Sequence, residues 1–276
     1  MTDPAPFDLD AYLARVGYAG PLAPTAAVLA DLHQAHATHI PFENIDVLLG
    51  RPPRLDLDSL HAKLVLARRG GYCYEQNTLL AAVLERVGFR VTRLAARVWF
   101  RATRRLPRTH MLLRVDLPAG PVIADVGFGG AGFFHPLPLV DGVETTQFAW
   151  TYRLARGAGT WMLQSREADG WVDLYEFSEE PQHPIDFEPA NFFVSTHPAS
   201  AFTRTLAVQR ITPEVRYALR NREFVTDRGI GATETRTVSD EELIGLLDRV
   251  FGLRLPPDTR FPDHPWGAPP PDPYPR

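Results

Sequence analysis

Apolar positions in the first third of the chain recur at helical spacing. From Ser59 to Arg69, Leu60, Leu64 and Ala67 share one face, and Asp58 stands where an N-cap belongs. Arg68 and Arg69 occupy the last turn, where cations suit the negative helix end, and Gly70 reads as a left-handed stop. A second helix is expected from about Cys73 to Val87, ending at Gly88, with Leu79, Leu80, Val83, Leu84 and Val87 as its core face. The period then changes. RVTRLAARVWF, THMLLRVDL, PVIADVGF, TYRLARG, TWMLQSRE and GWVDLYEF are short, rich in β-formers and separated by turns containing Gly or Pro. They predict a small antiparallel barrel or sandwich rather than a βαβ array. After about residue 200 the pattern is mixed. FTRTLAVQRI and FVTDRG read as strands, and Ser239 to Glu242 form an S-x-x-E capping box ahead of Leu243, Leu246, Leu247 and Val250, closed by Gly252. The segment from Pro256 to Arg276 is dense in proline and is expected to be extended or disordered.

Composition narrows the class. The chain has 276 residues, 45% hydrophobic and 22% charged, as in an ordinary globular protein. A formal charge of −4 argues against attraction to nucleic acid or an anionic membrane surface. The start, MTDPAPFDLDAYLARVGY, has acids and prolines where a secretory signal needs a basic start and an apolar stretch. No uninterrupted apolar run approaches the ~18 residues of a membrane span. A cytoplasmic location is the expectation. A single cysteine allows no internal disulfide and no multi-cysteine zinc site.

That cysteine, Cys73, lies in RRGGYCYEQN, between a glycine pair and the start of an amphipathic helix. Unpaired N–H groups and the helix dipole there favour a thiolate, the nucleophilic form of cysteine. The plainer alternative is a small apolar side chain packed beneath a turn. A nucleophilic thiol needs a base and an anion that orients the base, and histidine is the best base at neutral pH. His33, His36 and His39 in HQAHATH have no HExxH pattern or partner thiol and read as a solvated helix face. His61, His135, His183, His197 and His264 have no distinctive setting.

His110 differs, because it opens the strand THMLLRVDL one hairpin away from Asp125 in PVIADVGFGG. A carboxylate among Val122, Ile123 and Val126 requires a partner. His110 is one candidate; Arg97 or Arg114 would give a structural pair instead. A hairpin centred on Ala119-Gly120 puts His110 and Asp125 on one face, but with Asp125 opposite Arg114, about 13 Å along the strand from His110. A shifted register, a bulge or a bend is needed to close the pair. The glycines of VGFGG could turn N–H groups toward a phosphate, or simply make a turn. The run RATRRLPR could meet an anionic ligand, or be a solvated hairpin loop.

Taken together, RRGGYCYEQN, THMLLRV, ADVGFGG, the earlier HIPFENIDVLLG and the later STHPASAF resemble, in order and spacing, the arylamine N-acetyltransferase family. The likeness covers roughly residues 10 to 250 and is densest from His39 to Gly130. It implies an α+β fold with a helical bundle over residues 1–90, an antiparallel β-barrel over 91–195 and an α/β lid over 196–255. The proline-rich tail, 256–276, has no counterpart. The core is similar to that of transglutaminases and papain-like cysteine proteases. The resemblance further implies Cys73 as acyl-accepting nucleophile with His110 and Asp125 completing a triad. Thr109, Phe128, Gly129 and Gly130 then fall near coenzyme A, and Phe42, Phe128 and Phe202 around the aryl acceptor. Gln76 matches a position where the family varies. Acetyl-CoA would be a substrate donor rather than a resident cofactor, an arylamine or arylhydrazine the acceptor, with no metal. Two rivals share the chemistry: an amide synthase acting on a carrier-bound acyl chain, and a transglutaminase-like cysteine hydrolase. The sequence leaves the oligomeric state open.

Overall fold

The computed structural model describes residues 7–102, 104–256 and 258–261. Most of the expected extended tail, 262–276, lies outside the described residues.

Capping chemistry starts the N-terminal helices. Asp8 accepts from the Asp10 and Ala11 N–H groups to begin α1 (Leu9–Val16), and Thr25 accepts from Val28 N–H to begin α2 (Ala26–His39). A two-residue strand, β1 (Phe42–Glu43), precedes the short α3 (Ile45–Leu48). The next helix, α4 (Leu57–Leu60), is capped by Asp56, which accepts from Ser59 N–H at 2.9 Å, and runs into a π-helical stretch, His61–Leu66. The start expected at Asp58 is thus two residues late, and Asp58 instead accepts from Phe7 N–H at 3.2 Å. The left-handed stop expected at Gly70 is also corrected. Positive φ belongs to Arg68, at 52°, while a Cβ on Gly70 would collide with the Pro41 carbonyl oxygen. Glycine there serves close approach, not a turn. The following helix, α5 (Cys73–Val87), has the expected bounds.

Next come β2 (Arg90–Val98), β3 (Arg108–Asp116), β4 (Val122–Ala124), β5 (Leu137–Pro138), β6 (Thr145–Gln147), β7 (Trp150–Arg156), β8 (Trp161–Glu167) and β9 (Gly170–Phe177). They form an eight-stranded antiparallel sheet in the order β5-β4-β3-β2-β9-β8-β7-β6. Alternation sets its inner face: Trp150, Tyr152 and Leu154 of β7, and Trp161 and Leu163 of β8, are buried. The segment after β5 returns to β7, with Gly142 N–H donating to the Leu154 carbonyl and Arg156 N–H to the Asp141 carboxylate, each at 2.8 Å. These contacts curl the sheet into a nearly closed barrel, the form expected of this region.

The chain continues through α6 (Phe187–Thr196), β10 (Ala207–Ile211), β11 (Arg216–Arg220), β12 (Glu223–Asp227), β13 (Thr233–Thr237) and α7 (Asp240–Phe251). The stretch FTRT, read as strand, is instead a loop and a 3-10 turn ahead of β10. The pattern does not announce β11 or β13, and β13 is exposed along its length. Ser239 caps α7 as expected, but the Glu242 carboxylate pairs with Arg236 at 2.7 Å rather than returning to the cap.

A second sheet has the order β1-β10-β11-β12-β13, so its first strand comes from the N-terminal region. Asn44 fastens that junction, donating to the Phe202 and Thr205 carbonyls at 2.8 and 2.7 Å and accepting from Ala207 N–H at 2.8 Å. Ile45 and Leu48 pack into one core with Val208, Phe224, Leu247 and Phe251. The architecture is the expected α+β one.

Candidate active site

Cys73 is the first residue of α5, so its own N–H and that of Tyr74 have no carbonyl four residues back within the helix. The preceding N–H, of Tyr72, is taken by the Glu75 carboxylate at 3.0 Å. The side chain is only 4% exposed, which leaves a narrow approach to sulfur. Its thiol points to the Thr109 carbonyl, 3.8 Å from Sγ. On the other side Gly127 comes so close that a Cβ there would lie 2.5 Å from Cys73 Cα.

Two irregularities bring the histidine and the acid together. Ala96 pairs with His110 but Arg97 with Arg108, so Thr109 is an extra residue in β3, a bulge directly before the histidine. In the next hairpin Val115 pairs with Val122 and Leu113 with Ala124. Its centre is one residue earlier than expected, which carries Asp125 about 7 Å nearer to His110. Strand pairing then ends at Ala124 and the chain bends. His110 Nε2 lies 2.7 Å from Asp125 Oδ2. The arginine alternatives are excluded: Arg97 reaches Glu176 and the Leu106 carbonyl, while Arg114 pairs with Asp116 and Glu179. With Nε2 committed to Asp125, Nδ1 is the ring nitrogen left to face Cys73, whose sulfur adds to the groups that raise His110.

Several residues around Asp125 escape a reading by motif. Asn77 Nδ2 donates to Asp125 Oδ1 at 2.8 Å and to the Met111 carbonyl at 2.7 Å, while its Oδ1 accepts from Val126 N–H. Gly127 N–H also donates to Asp125 Oδ1, at 2.9 Å. His33 Nε2 accepts the Asp125 backbone N–H at 3.0 Å. The expected solvated face of HQAHATH is therefore wrong for His33 and His36, both wholly buried. Leu29, Leu32, His33 and His36 fall at i, i+3, i+4 and i+7, the spacing of one buried face, and that signal was available. Gln76 is also buried: its Oε1 meets His36 Nε2 at 3.2 Å, and its amide donates to the Gly71 carbonyl at 2.8 Å. This position, where the resemblance implies variation within the family, is here tied into the network. Among the described residues no group of His, Cys, Asp and Glu has a metal-holding arrangement.

Burial pulls His110 toward its neutral form, but the Asp125 carboxylate outweighs burial and holds the imidazolium up to about 10. Burial raises Asp125, but the charge and hydrogen bond of His110, then Asn77 and Gly127, bring it below the usual carboxylate range. No carboxylate oxygen hydrogen-bonds His33 or His36, and burial, which on His33 outweighs the Asp125 charge, lowers them to about 4 and about 3. Of this buried set, only His110 is protonated at neutral pH.

The remaining candidates fall into two groups. Phe128 stands edge-on to His110 at 5.2 Å and to Tyr175 at 5.0 Å. Phe42 and Phe202 meet each other at 6.0 Å, and Phe202 also meets Tyr72 at 5.9 Å. Gly129 and Gly130 abut Gln209 of β10, whose side-chain oxygen accepts from Gly130 N–H. That N–H is satisfied within the protein.

A family model described as N-acetyltransferase matches residues 25–260. The arylamine N-acetyltransferase of Mycolicibacterium smegmatis is 43% identical over 256 residues, covering 90% of this chain and 92% of that protein. An arylamine N-acetyltransferase / N-hydroxyarylamine O-acetyltransferase of Salmonella typhimurium is 40% identical, covering 89% and 88%. The crystal structure of the Nocardia farcinica arylamine N-acetyltransferase superposes with a TM-score of 0.87 at 44% identity, covering 91% of each chain. That of the Mycobacterium marinum protein in complex with CoA gives 0.84 at 39% identity, covering 89% of this chain and 92% of that one.

Proposed function

The chain belongs to the arylamine N-acetyltransferase family, and on that premise we propose that Cys73 carries the acetyl group from acetyl-CoA to an arylamine nitrogen. The observation that carries this reading is a thiol at a helix start beside a buried imidazole that an aspartate 2.7 Å away keeps protonated.

In the resting state the thiol proton resides on His110, giving a thiolate–imidazolium pair. The Cys73 sulfur attacks the thioester carbonyl, and first-turn N–H groups of α5 stabilise the oxyanion. The C–S bond to coenzyme A breaks, and the departing sulfur takes the proton of His110. Both sides are thioesters, so the exchange is near thermoneutral. A weakly basic arylamine or arylhydrazine, unprotonated at neutral pH, then attacks the acetyl-enzyme. His110 accepts the amine proton as the Cys73 thiolate leaves, which restores the starting pair. Phe128, Thr109, Gly129 and Gly130 border the donor side in this reading, and Phe42, Phe128 and Phe202 the acceptor. No resident cofactor is required. A reduced thiol and an acyl-CoA donor both point to a cytoplasmic setting, and no helix among the described residues is long and apolar enough to cross a membrane.

Intact-mass measurement after incubation with acetyl-CoA alone tests the first half-reaction. A gain of one acetyl group in the wild type and none in Cys73→Ala is expected. No adduct, with no arylamine turnover, would remove the proposal. Turnover of peptide or glutamine substrates without coenzyme A would instead support the hydrolase rival.

A further inference from the structure

We propose that His33 is a positioning residue: its neutral ring clamps the loop from Asp125 to Phe134 at both ends and so holds Asp125 in line with His110. The inference rests on Asp125 orienting His110 in the reaction described above.

Two hydrogen bonds and a stack make the clamp. Nε2 accepts the Asp125 backbone N–H at 3.0 Å, at the start of the loop, and Nδ1 reaches the Phe134 carbonyl at 2.7 Å, at its end. Only one tautomer satisfies both, with the proton on Nδ1. The ring lies flat against Phe133, 5.3 Å between centroids and 8° between planes. Between the clamped ends lie Gly127, against Cys73, and Phe128, against His110. The clamp also explains why the strand ends where it does. The β3–β4 ladder stops at Ala124, and the next N–H goes to His33 instead of a strand partner. Asp125 leaves the sheet there, and its carboxylate turns to His110.

The environment keeps the clamp in its working form. The titratable neighbours of His33 are Asp125, His36 and His135, and burial outweighs the favourable Asp125 charge. Those facing His110 are Asp125, Cys73 and Tyr175. An imidazolium at position 33 would set N–H against N–H at Asp125.

The test is a pH profile of kcat/KM and of Cys73 alkylation for His33→Phe, His33→Gln and Asp125→Asn. Phenylalanine keeps the stack and removes both hydrogen bonds. The expected result for His33→Phe is a fall of about 100-fold in kcat/KM, the scale of a slight misplacement of reacting groups. The alkaline limb that reports loss of the His110 proton should move down by about one pH unit, because a displaced carboxylate supports the imidazolium less. Glutamine supplies an acceptor for the Asp125 N–H and should recover at least tenfold of the rate. A folded His33→Phe with the wild-type rate and profile overturns the inference, and so does a rate loss without a shifted limb. If Asp125→Asn is crippling while His33→Phe is not, this inference alone fails; if Asp125→Asn is harmless, the underlying triad reading fails with it. Should His33→Phe not fold, nitrogen-15 NMR of the wild type decides. A neutral His33 with Nδ1 protonated from pH 5 to 9 supports the clamp, and an Nε2–H tautomer overturns it.

Discussion

Two polar regions flank the start of α5, one partly exposed and one buried, and they hold charge in opposite ways. On one side Glu43, Asp46, Lys63, Arg69 and Glu75 form a cluster of ion pairs. Lys63 Nζ sits 2.7 Å from Glu75 and 3.0 Å from Asp46, and Arg69 2.7 Å from Glu43. Burial alone would neutralise Lys63, but three carboxylates hold its proton far above the ordinary range. A cavity of about 240 Å³ opens beside this cluster, lined by Arg51, Arg54, Lys63 and Glu75 among others. On the other side His33, His36, His110 and Asp125 are more completely buried, and only one of three imidazoles is charged. The difference is the partner. Backbone and amide groups leave a buried histidine neutral, whereas a carboxylate keeps it an acid. Permanent ions fix the turn before Cys73, and a single movable proton lies beside the thiol.

The comparison can be broken most sharply at Asp125. Asp125→Asn removes the charge that maintains the His110 proton while keeping the size of the side chain. A fall of about 10³-fold or more in kcat/KM is expected, by analogy with loss of the orienting acid in a Ser-His-Asp triad. Folding should persist, as circular dichroism would verify. On the ionic side Lys63→Met should act through stability. It leaves Glu75 and Asp46 without their shared cation, at a cost of about 3–5 kcal/mol. Denaturant titration would measure that loss, while acetylation per folded molecule should change little.

Stability against pH separates the regions further. His110 is raised to about 10, so the stability it contributes is complete below its unfolded value near 6.5 and is lost as pH rises through about 10. Asp125 is lowered, so its contribution is present above the unfolded value of 3.8 and is lost as pH falls through the folded one. His33 and His36 are lowered to about 4 and about 3. Below about 6.5 the unfolded chain therefore binds two protons that the fold refuses, at about 1.4 kcal/mol per pH unit for each. Urea midpoints should peak near pH 6.5 and decline both ways. A flat profile from pH 4 to 6.5 would contradict the neutral histidines. The smallest effect is expected at Asp56→Ala, which removes the cap of the helix leading to Lys63. It should cost about 1 kcal/mol and leave the alkylation profile untouched.

Much of this was legible along the chain because it depends on local rules. The bounds of α5, the β character of residues 90–177 and the Ser239 cap follow from periodicity and short-range hydrogen bonding. Cys73 at a helix start is equally local, and the ordered blocks around it gave the family. Errors arose where a residue's partner is distant in sequence. Gly70 looked like a helix stop, but its neighbour is Pro41; Gln76 looked incidental, but its partners are His36 and Gly71.

The thiol, its position at a helix N-terminus, the strand bearing His110 and the strand that leads up to Asp125 were determined by sequence alone, since each follows from spacing within some fifteen residues; Asp125 itself, read as part of that strand, lies just past its end. Closure of the pair was decided by tertiary structure. Alternation fixes which face a side chain takes, but not its place along the neighbouring strand. A bulge at Thr109, a hairpin centred one residue early and the capture of the Asp125 N–H by a histidine 92 positions away together bring the acid within 2.7 Å of the imidazole. None of these is a property of the segment in which it occurs, because each needs another element packed against it.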